Sequence, residues 1–590
     1  RKLAAEAGDP WFTAIAEQET AAAEMSHGNL AAAERRLRGA IEAAERERLA
    51  YRALALRDQL VKLYKAEQHL AQAAEVARIE FHDAAAAGEG LSEMNALSDL
   101  VAIDQNRYAS GLFRAYVTEQ LERSQTSAAV GPSPFDEDHD CATRQYDFQS
   151  LANLALEAFD PDTARTWLSR APTCTRAFAT ELMFQRAVYA ADLYRLGRRE
   201  EDAQLARGSL AALRAATLSP PEQAMVEYIE GNLVIDDDRA AGERHLRDAI
   251  ARADHHTDDA HFYVKARAYS AALLATSAGR AGDFARVLEL LAEDLEVGRP
   301  PRCAVAIARY AERTVVAASD ARGEITGRYA ADRRSADAGA ATLIPPAMAD
   351  RLRACDRVVV LTRAPVLGAS HLLPPELAWS YALEGATVAP PAAGTRRLVI
   401  ANPEVPTDLG LPPLGPYPDE AGQGAVVLRG ADATPSRVLQ AMRDAQVIEF
   451  HTHGFIGNDV TESSYLVLSP ELDRQYALTA TDVAGVELAG VPLVILGACH
   501  AAASSQSLEG GIGLAEAFLR SGARAVIASP DAIGDLGAAA FFAAVRERVM
   551  QGADPAVALR DERLHRLSVS HDDAWVSGVV VFENLGHASM

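Results

Sequence analysis

The feature that most constrains this chain is a helical period that keeps returning. From residue 1 to about 298 the sequence is alanine-rich. In LAAAERRLRGAIEAAERE the apolar residues fall at Leu30, Ala33, Leu37, Ile41 and Ala44. Steps of three and four place them on one face of a helix. Such stretches come in pairs. Leu196–Gly197 stands before a helix carrying Ala203, and Gly231 follows Gly197 by 34 residues in what reads as the corresponding turn. HGNLAAA at 27–33 and QHLAQAA at 68–74 read as earlier copies about 40 residues apart, and SAGRAGDFARVLELL at 277–291 as the last. One such pair cannot bury its apolar face alone, so the pairs are expected to stack into a superhelix. The polar segment 123–140 holds two prolines and reads as a loop or mobile insert.

After about residue 299 the pattern changes. Short β-branched runs appear: CAVAIARY, RTVVAAS, RVVVLTR, RRLVIAN, GAVVLRG, QVIEF, PLVILGA, RAVIAS and SGVVVFE. Helical stretches alternate with the later ones, at SRVLQAMRDA, GIGLAEAFLRSG and GAAAFFAAVRERVM. Near-continuous apolar strands separated by helices predict a mostly parallel sheet covered on both faces. The first strands have no helices between them and are expected to form a hairpin or an edge. The fold class is thus an N-terminal α-helical repeat solenoid over 1–298, followed by an α/β domain over 299–590. A 34-residue helix–turn–helix period with small residues at the turn resembles tetratricopeptide repeats, although the family's Trp is absent and the spacing drifts.

At 590 residues the chain is too long for one hydrophobic core. Its 82 acidic and 58 basic residues give a net charge of -24, which argues against a large phosphate-binding surface and hence against direct nucleic-acid binding. The five cysteines are scattered, odd in number and without CxxC spacing. That pattern predicts neither a zinc site nor a disulfide framework, and fits a reducing cytoplasm. No run is long and apolar enough to span a bilayer. The first residue is Arg1 rather than Met, so a removed targeting segment stays open.

Two apolar runs end abruptly at reactive side chains: VIEFHTHG at 447–454 and LVILGACH at 493–500, with His453 and Cys499 46 residues apart. Open α/β sheets place chemistry just beyond the carboxyl ends of their strands. A nucleophilic thiol needs a base or imidazolium beside it. Gly454 follows His453 directly, so the backbone N–H groups of Gly454 and Cys499 are candidates for an oxyanion hole. His451 reads as a partly buried strand histidine, and His500 as a loop residue pointing away from Cys499. HTH at 451–453 and HDD at 571–573 lack an evident third ligand, so no metal is expected.

Five pieces together resemble the CHAT domain, the caspase-like domain of the clan CD cysteine peptidases that is often joined to tetratricopeptide repeats. They are EFHTHGF, the segment from SYLVLSPELDRQYALTATDVAGVELAG into PLVILGACHAA, LEGGIGLAEAFLRSGARAVIAS, DPAVALRDERL and DDAWVSGVVVFENLG. The cover is strong over about 440–586 and loose over 299–440. The resemblance implies Cys499 as nucleophile and His453 as general acid/base, with no cofactor. Where the family has S-L-W-P-x-x-D this chain has SPDAIGD, leaving Asp531 and Asp535 as candidates for binding the residue before the cut. Acids there would pair with Arg or Lys. Asp535 also reads as the N-cap of the helix that follows. Glu509, with Gly510 and Gly511, resembles a family element after the nucleophile loop. Glu449 stands for the family's usual His and Ala501 for its Thr, changes expected to make the rim atypical.

The resemblance implies a cysteine endopeptidase acting on protein substrates, with a lean towards cutting after basic residues. It further implies control by a protein partner held on the helical array, in a prokaryotic defence or cell-death setting; some similar proteins attach to RNA-guided effectors. Two rivals stand beside it: a caspase-like binding scaffold that has lost activity, and an acyltransferase or other thiol hydrolase with the same dyad.

Overall fold

The structure is a computed structural model. It describes residues 9–26, 30–66, 70–87, 159–171, 179–254, 261–332, 339–383, 396–406, 411–415, 425–455, 465–471, 476–502, 513–569 and 573–585, with isolated positions between 89 and 156. The polar segment 123–140 and Glu509, Gly510 and Gly511 lie outside the described residues. By contact the chain divides into two compact units, one mainly of residues up to Ser277 and one mainly from Ala278 onward.

The N-terminal part is helical. Its helices are α1 (Pro10–Ser26), α2 (Leu30–Arg46), α3 (Ala50–Ala66), α4 (Leu70–Ala87), α5 (Pro161–Arg170), α6 (Ala179–Gly197), α7 (Glu200–Arg214), α8 (Pro220–Val234), α9 (Arg239–Asp254) and α10 (His261–Arg280). Local chemistry sets their starts. Asp160 accepts from the Thr163 N–H at 3.0 Å with Pro161 behind it, and Ser219 and Glu222 form a capping box around Pro220. α6 packs on α7, and α8 on α9. Gly231 is not in a turn, as its spacing had suggested. It lies buried inside α8, where an added Cβ would come within 2.6 Å of Leu246 on α9. The small residue sets how closely two helices approach; the turn itself is at 235–238.

The second unit is built on an eleven-stranded sheet. Its strands are β1 (Ala304–Tyr310), β2 (Arg313–Ser319), β3 (Ile325–Ala331), β4 (Val358–Thr362), β5 (Trp379–Leu383), β6 (Arg397–Pro403), β7 (Ala425–Gly430), β8 (Val447–His451), β12 (Leu493–Gly497), β13 (Ala525–Ala528) and β14 (Val580–Asn584). The short β9 (Gly454–Phe455), β10 (Tyr465–Val467) and β11 (Ala477–Thr479) form a second, three-stranded sheet. The large sheet runs β3-β2-β1-β4-β5-β14-β13-β12-β8-β6-β7. Only the β1–β2, β2–β3 and β13–β14 pairs are antiparallel. As expected, the sheet is mostly parallel and its first strands make a hairpin. β4, β5, β8, β12, β13 and β14 are buried at every position, and all of these but β5 read in sequence as β-branched runs.

The helices of this unit are α11 (Phe284–Asp294), α12 (Pro346–Leu352), α13 (Pro435–Met442), α14 (Ala480–Ala484), α15 (Leu514–Arg520), α16 (Asp535–Met550) and α17 (Pro555–Val569). Phe541 and Phe542 of α16 pack with Leu493, Ile495 and Ile527 on one face of the sheet. On the other, Phe518 of α15 meets Phe450 of β8 at a ring separation of 5.8 Å. The sequence pattern assigned α11 to the last helical repeat. Here it packs on β1, β2 and β3, and Gly327 of β3 has no Cβ because the ring of Phe284 fills that place.

One expectation is overturned. Cys303 and Cys355 form a disulfide, with Cα atoms 5.9 Å apart. They stand just before β1 and β4, neighbouring parallel strands, so the sheet brings the two strand starts together. A separation of 52 residues carries no local signal of that. Among the described residues no helix is long and apolar enough to cross a membrane.

Candidate active site

β8 and β12 are parallel neighbours, and their last paired residues are His451 and Gly497. The Thr452 N–H donates to the Gly497 carbonyl at 3.4 Å, so the chains leave the sheet side by side. His453 and Cys499 each stand two residues beyond that last pair. Gly454 then lies directly on the Cys499 loop: an added Cβ would be 2.5 Å from the Cys499 carbonyl oxygen and 3.1 Å from the Ala498 methyl. Any side chain there would push the two loops apart. Cys499 is a free thiol, neither sealed nor fully exposed.

The small sheet holds the His453 main chain. The Thr452 hydroxyl donates to the Val467 carbonyl, and the Val467 N–H donates to the His453 carbonyl at 2.9 Å. The His453 ring is held separately, with Nε2 2.9 Å from the Pro412 carbonyl oxygen. A carbonyl only accepts, so Nε2 carries the proton and Nδ1 is left with the lone pair. Asn402, at the end of β6, donates from Nδ2 to the Gly415 carbonyl at 2.8 Å and so tethers the loop that carries Pro412. Neither Pro412 nor Asn402 was found from sequence. A carbonyl has no side-chain signature, and nothing in the loop's sequence pairs it with a strand end.

His451 is buried, as expected of a strand histidine. His500 takes a left-handed conformation (φ 56°), and its Nδ1 lies 3.0 Å from the Pro530 carbonyl. It thereby ties the Cys499 loop to the loop after β13, where its N–H also donates to the Asp531 carbonyl at 3.3 Å. Asp531 is thus brought beside the Cys499 loop through its main chain. Its carboxylate is exposed and accepts from the Ser370 hydroxyl at 3.1 Å. Asp535 is the first residue of α16 and Gly534 is its cap, one residue earlier than expected; the Asp535 side chain lies outside the described residues.

Glu449 corrects a further expectation. It does not shape the rim. It is 4% exposed, between Arg397 of β6 and Arg546 of α16, with Arg546 Nη1 2.8 Å from Oε2. Ala501 is likewise buried, at 2%. Among the described residues one histidine–carboxylate group is close enough to share an ion: Glu227, Glu230 and His245 in the helical part. Arg214 already pairs with Glu230 there.

Residues 371–584 match the model of the CHAT domain family. No curated protein matches the chain. Among solved structures, it is similar to a chain in two crystal structures of the Saccharomyces cerevisiae separase–securin complex, at 2.6 and 3.0 Å resolution. Identity is 7% in both, with TM-scores of 0.32 and 0.34. The match covers 95% and 96% of this chain but 61% and 62% of the other, so this chain spans less than two thirds of that length. A likeness at these scores carries no argument about chemistry.

Proposed function

We propose that this protein is a cysteine endopeptidase of the caspase-like CHAT type. The observation that supports the reading is the β8–β12 register, from whose last pair His453 and Cys499 each stand two residues on, with Gly454 against the Cys499 carbonyl. In this reading His453 Nδ1 takes the thiol proton and the Cys499 sulfur attacks a peptide carbonyl. The N–H groups of Gly454 and Cys499 hold the oxyanion. The proton returns from His453 to the leaving amine, and water then releases the acyl group. The Pro412 carbonyl acts as the orienting third partner that the sequence did not supply.

A preference for cutting after Arg or Lys rests on Asp531, whose main chain meets the Cys499 loop, and on Asp535 at the start of α16. A protein partner on the TPR-like array would control access, since repeat arrays present surfaces that grip other chains. A prokaryotic defence or cell-death system, including one with an RNA-guided effector, is the setting this reading favours. The inactive-scaffold alternative loses one support, because Glu449 is paired in the interior rather than altering the rim. The Cys303–Cys355 bond removes the ground on which a reducing cytoplasm was expected; an oxidising compartment suits it better.

The test is a peptide library offered to the full chain, alone and with whatever co-purifies on Cys499→Ala from the native cell. Cleavage confined to bonds after Arg and Lys supports the reading. Cleavage only after acidic or apolar residues contradicts the specificity, and no Cys499-dependent cleavage in either condition contradicts the activity.

A further inference from the structure

Along the same rim lies a cavity that has no part in the chemistry above. β14 runs antiparallel to β13 with Val580 opposite Ala528, and β5 runs parallel to β14 with Tyr381 opposite Phe582. The starts of β5 and β14 therefore lie at the rim where β12 and β13 end. From β12 to β5 is three strand spacings, about 14 Å. At that place a cavity of about 460 Å³ opens, a size suited to a small organic ligand. Ile344, Leu373, Pro374 and Trp379 give it apolar walls, with His371, an exposed residue, also on its lining.

Arg563 of α17 completes the lining, and its charge is the unusual part. It is 3% exposed, yet among the described residues no carboxylate pairs with it. A guanidinium has five N–H donors. Here Nε donates to the Val576 carbonyl at 3.3 Å and Nη2 to the Val579 carbonyl at 2.6 Å. Among the described residues Nη1 has no acceptor, and it is not one of the sealed, unsatisfied atoms. Burial alone pushes the Arg563 pKa down, to about 10, with no acid pulling it back. Arg313, the arginine of this unit that is as deeply buried, has Glu312, and the half-buried Arg546 and Arg357 have Glu449 and Asp554. A buried cation without a counter-charge is costly. An apolar chamber with one uncompensated guanidinium matches a ligand that brings both missing parts.

We propose that this pocket binds a molecule with a carboxylate on an apolar body, the carboxylate meeting Arg563 and the body lying against Trp379, Ile344 and Leu373. A free organic acid and the carboxylate terminus of a peptide share that chemistry. The inference goes beyond the endopeptidase reading and does not depend on it.

Calorimetric titration of the full chain tests it with octanoate, octanamide, and acetyl-Gly-Gly-Leu as free acid and as amide. At least one acid binds, and about 10- to 100-fold more tightly than its amide. Octanoate ahead of the peptide acid identifies a free acid as the ligand source; the reverse order identifies a peptide terminus. Arg563→Met, checked for native circular dichroism, loses the preference for acid over amide. Should that variant fail to fold, Ala574→Trp serves instead, an exposed lining position whose indole fills the cavity and abolishes binding. Cys499→Ala binds the acids as wild type does, which separates this result from the fate of the peptidase reading. Absence of binding by both acids, equal binding of acid and amide, or undiminished binding by folded Arg563→Met and Ala574→Trp would overturn the proposal.

Discussion

His453 has its ring fixed by a main-chain carbonyl rather than by an acid, and this makes its geometry depend on a loop. Asn402 ties that loop down through Gly415. Asn402→Ala is therefore expected to slow reaction at Cys499 about tenfold or more, because small misplacements of a catalytic group are costly. The melting temperature should change little. Labelling kinetics with a cysteine-reactive peptide, beside a thermal melt, measure both. At this scale the rim positions of His453 and Cys499 were legible in sequence for a physical reason: strand ends at a parallel rim are marked by apolar runs that stop. The supports were not legible. Pro412 acts through a carbonyl that every residue has, and the hydrogen bond from Asn402 spans an irregular loop. The Gly454 position was legible as a missing Cβ, but its contact with the Cys499 carbonyl needed the register of β8 on β12.

The strands were legible where β-branched residues run together, whether buried like β4 or partly exposed like β7. Every strand that read as an unbroken β-branched run is a strand of the large sheet. β5 was missed because WSYAL has no β-branched residue, although every position is buried. β3 was missed because ITGRYAA is an exposed edge with little apolar pattern. Charged residues inside elements escaped as well, and they make sharp predictions. Glu449→Ala would leave Arg397 and Arg546 facing each other across the space its carboxylate held. It is expected to cost about 3–5 kcal/mol in urea unfolding of the sheet unit. In the helical part, Glu80 of α4 is 0% exposed and both its carboxylate oxygens lack a hydrogen-bond partner. Burial, and then the charges of Asp58 and Asp99, push its pKa up to about 9 against Lys62 and Arg57. The folded state thus binds a proton that the unfolded chain releases near pH 4.3. This contribution is complete below that pH and is lost as pH rises through about 9. Thermal unfolding of the helical unit should therefore weaken between pH 5 and 9, by up to about 1.4 kcal/mol per pH unit. In Glu80→Gln that dependence should be absent.

For the whole molecule, the sequence pattern separates helical repeats from an α/β domain, while the contacts place α11 with the sheet. Composition was least informative about the cysteines, since pairing depends on which strands the fold makes neighbours. Non-reducing peptide mapping should recover a Cys303–Cys355 cross-linked pair. Reduction should lower the stability of the sheet unit by roughly 2–5 kcal/mol; an unchanged denaturation curve would count against the bridge. The central claim is that Cys499 and His453 act as one unit at a shared rim. It is met most directly by covalent labelling with an Arg-containing acyloxymethyl ketone peptide, with the modified residue located by mass spectrometry. Wild type, His453→Ala and Cys499→Ala would be compared, each with and without the co-purified partner. The account predicts modification at Cys499, about 100-fold slower in His453→Ala and absent in Cys499→Ala. Labelling of Cys499 at the same rate with and without the His453 imidazole would contradict it.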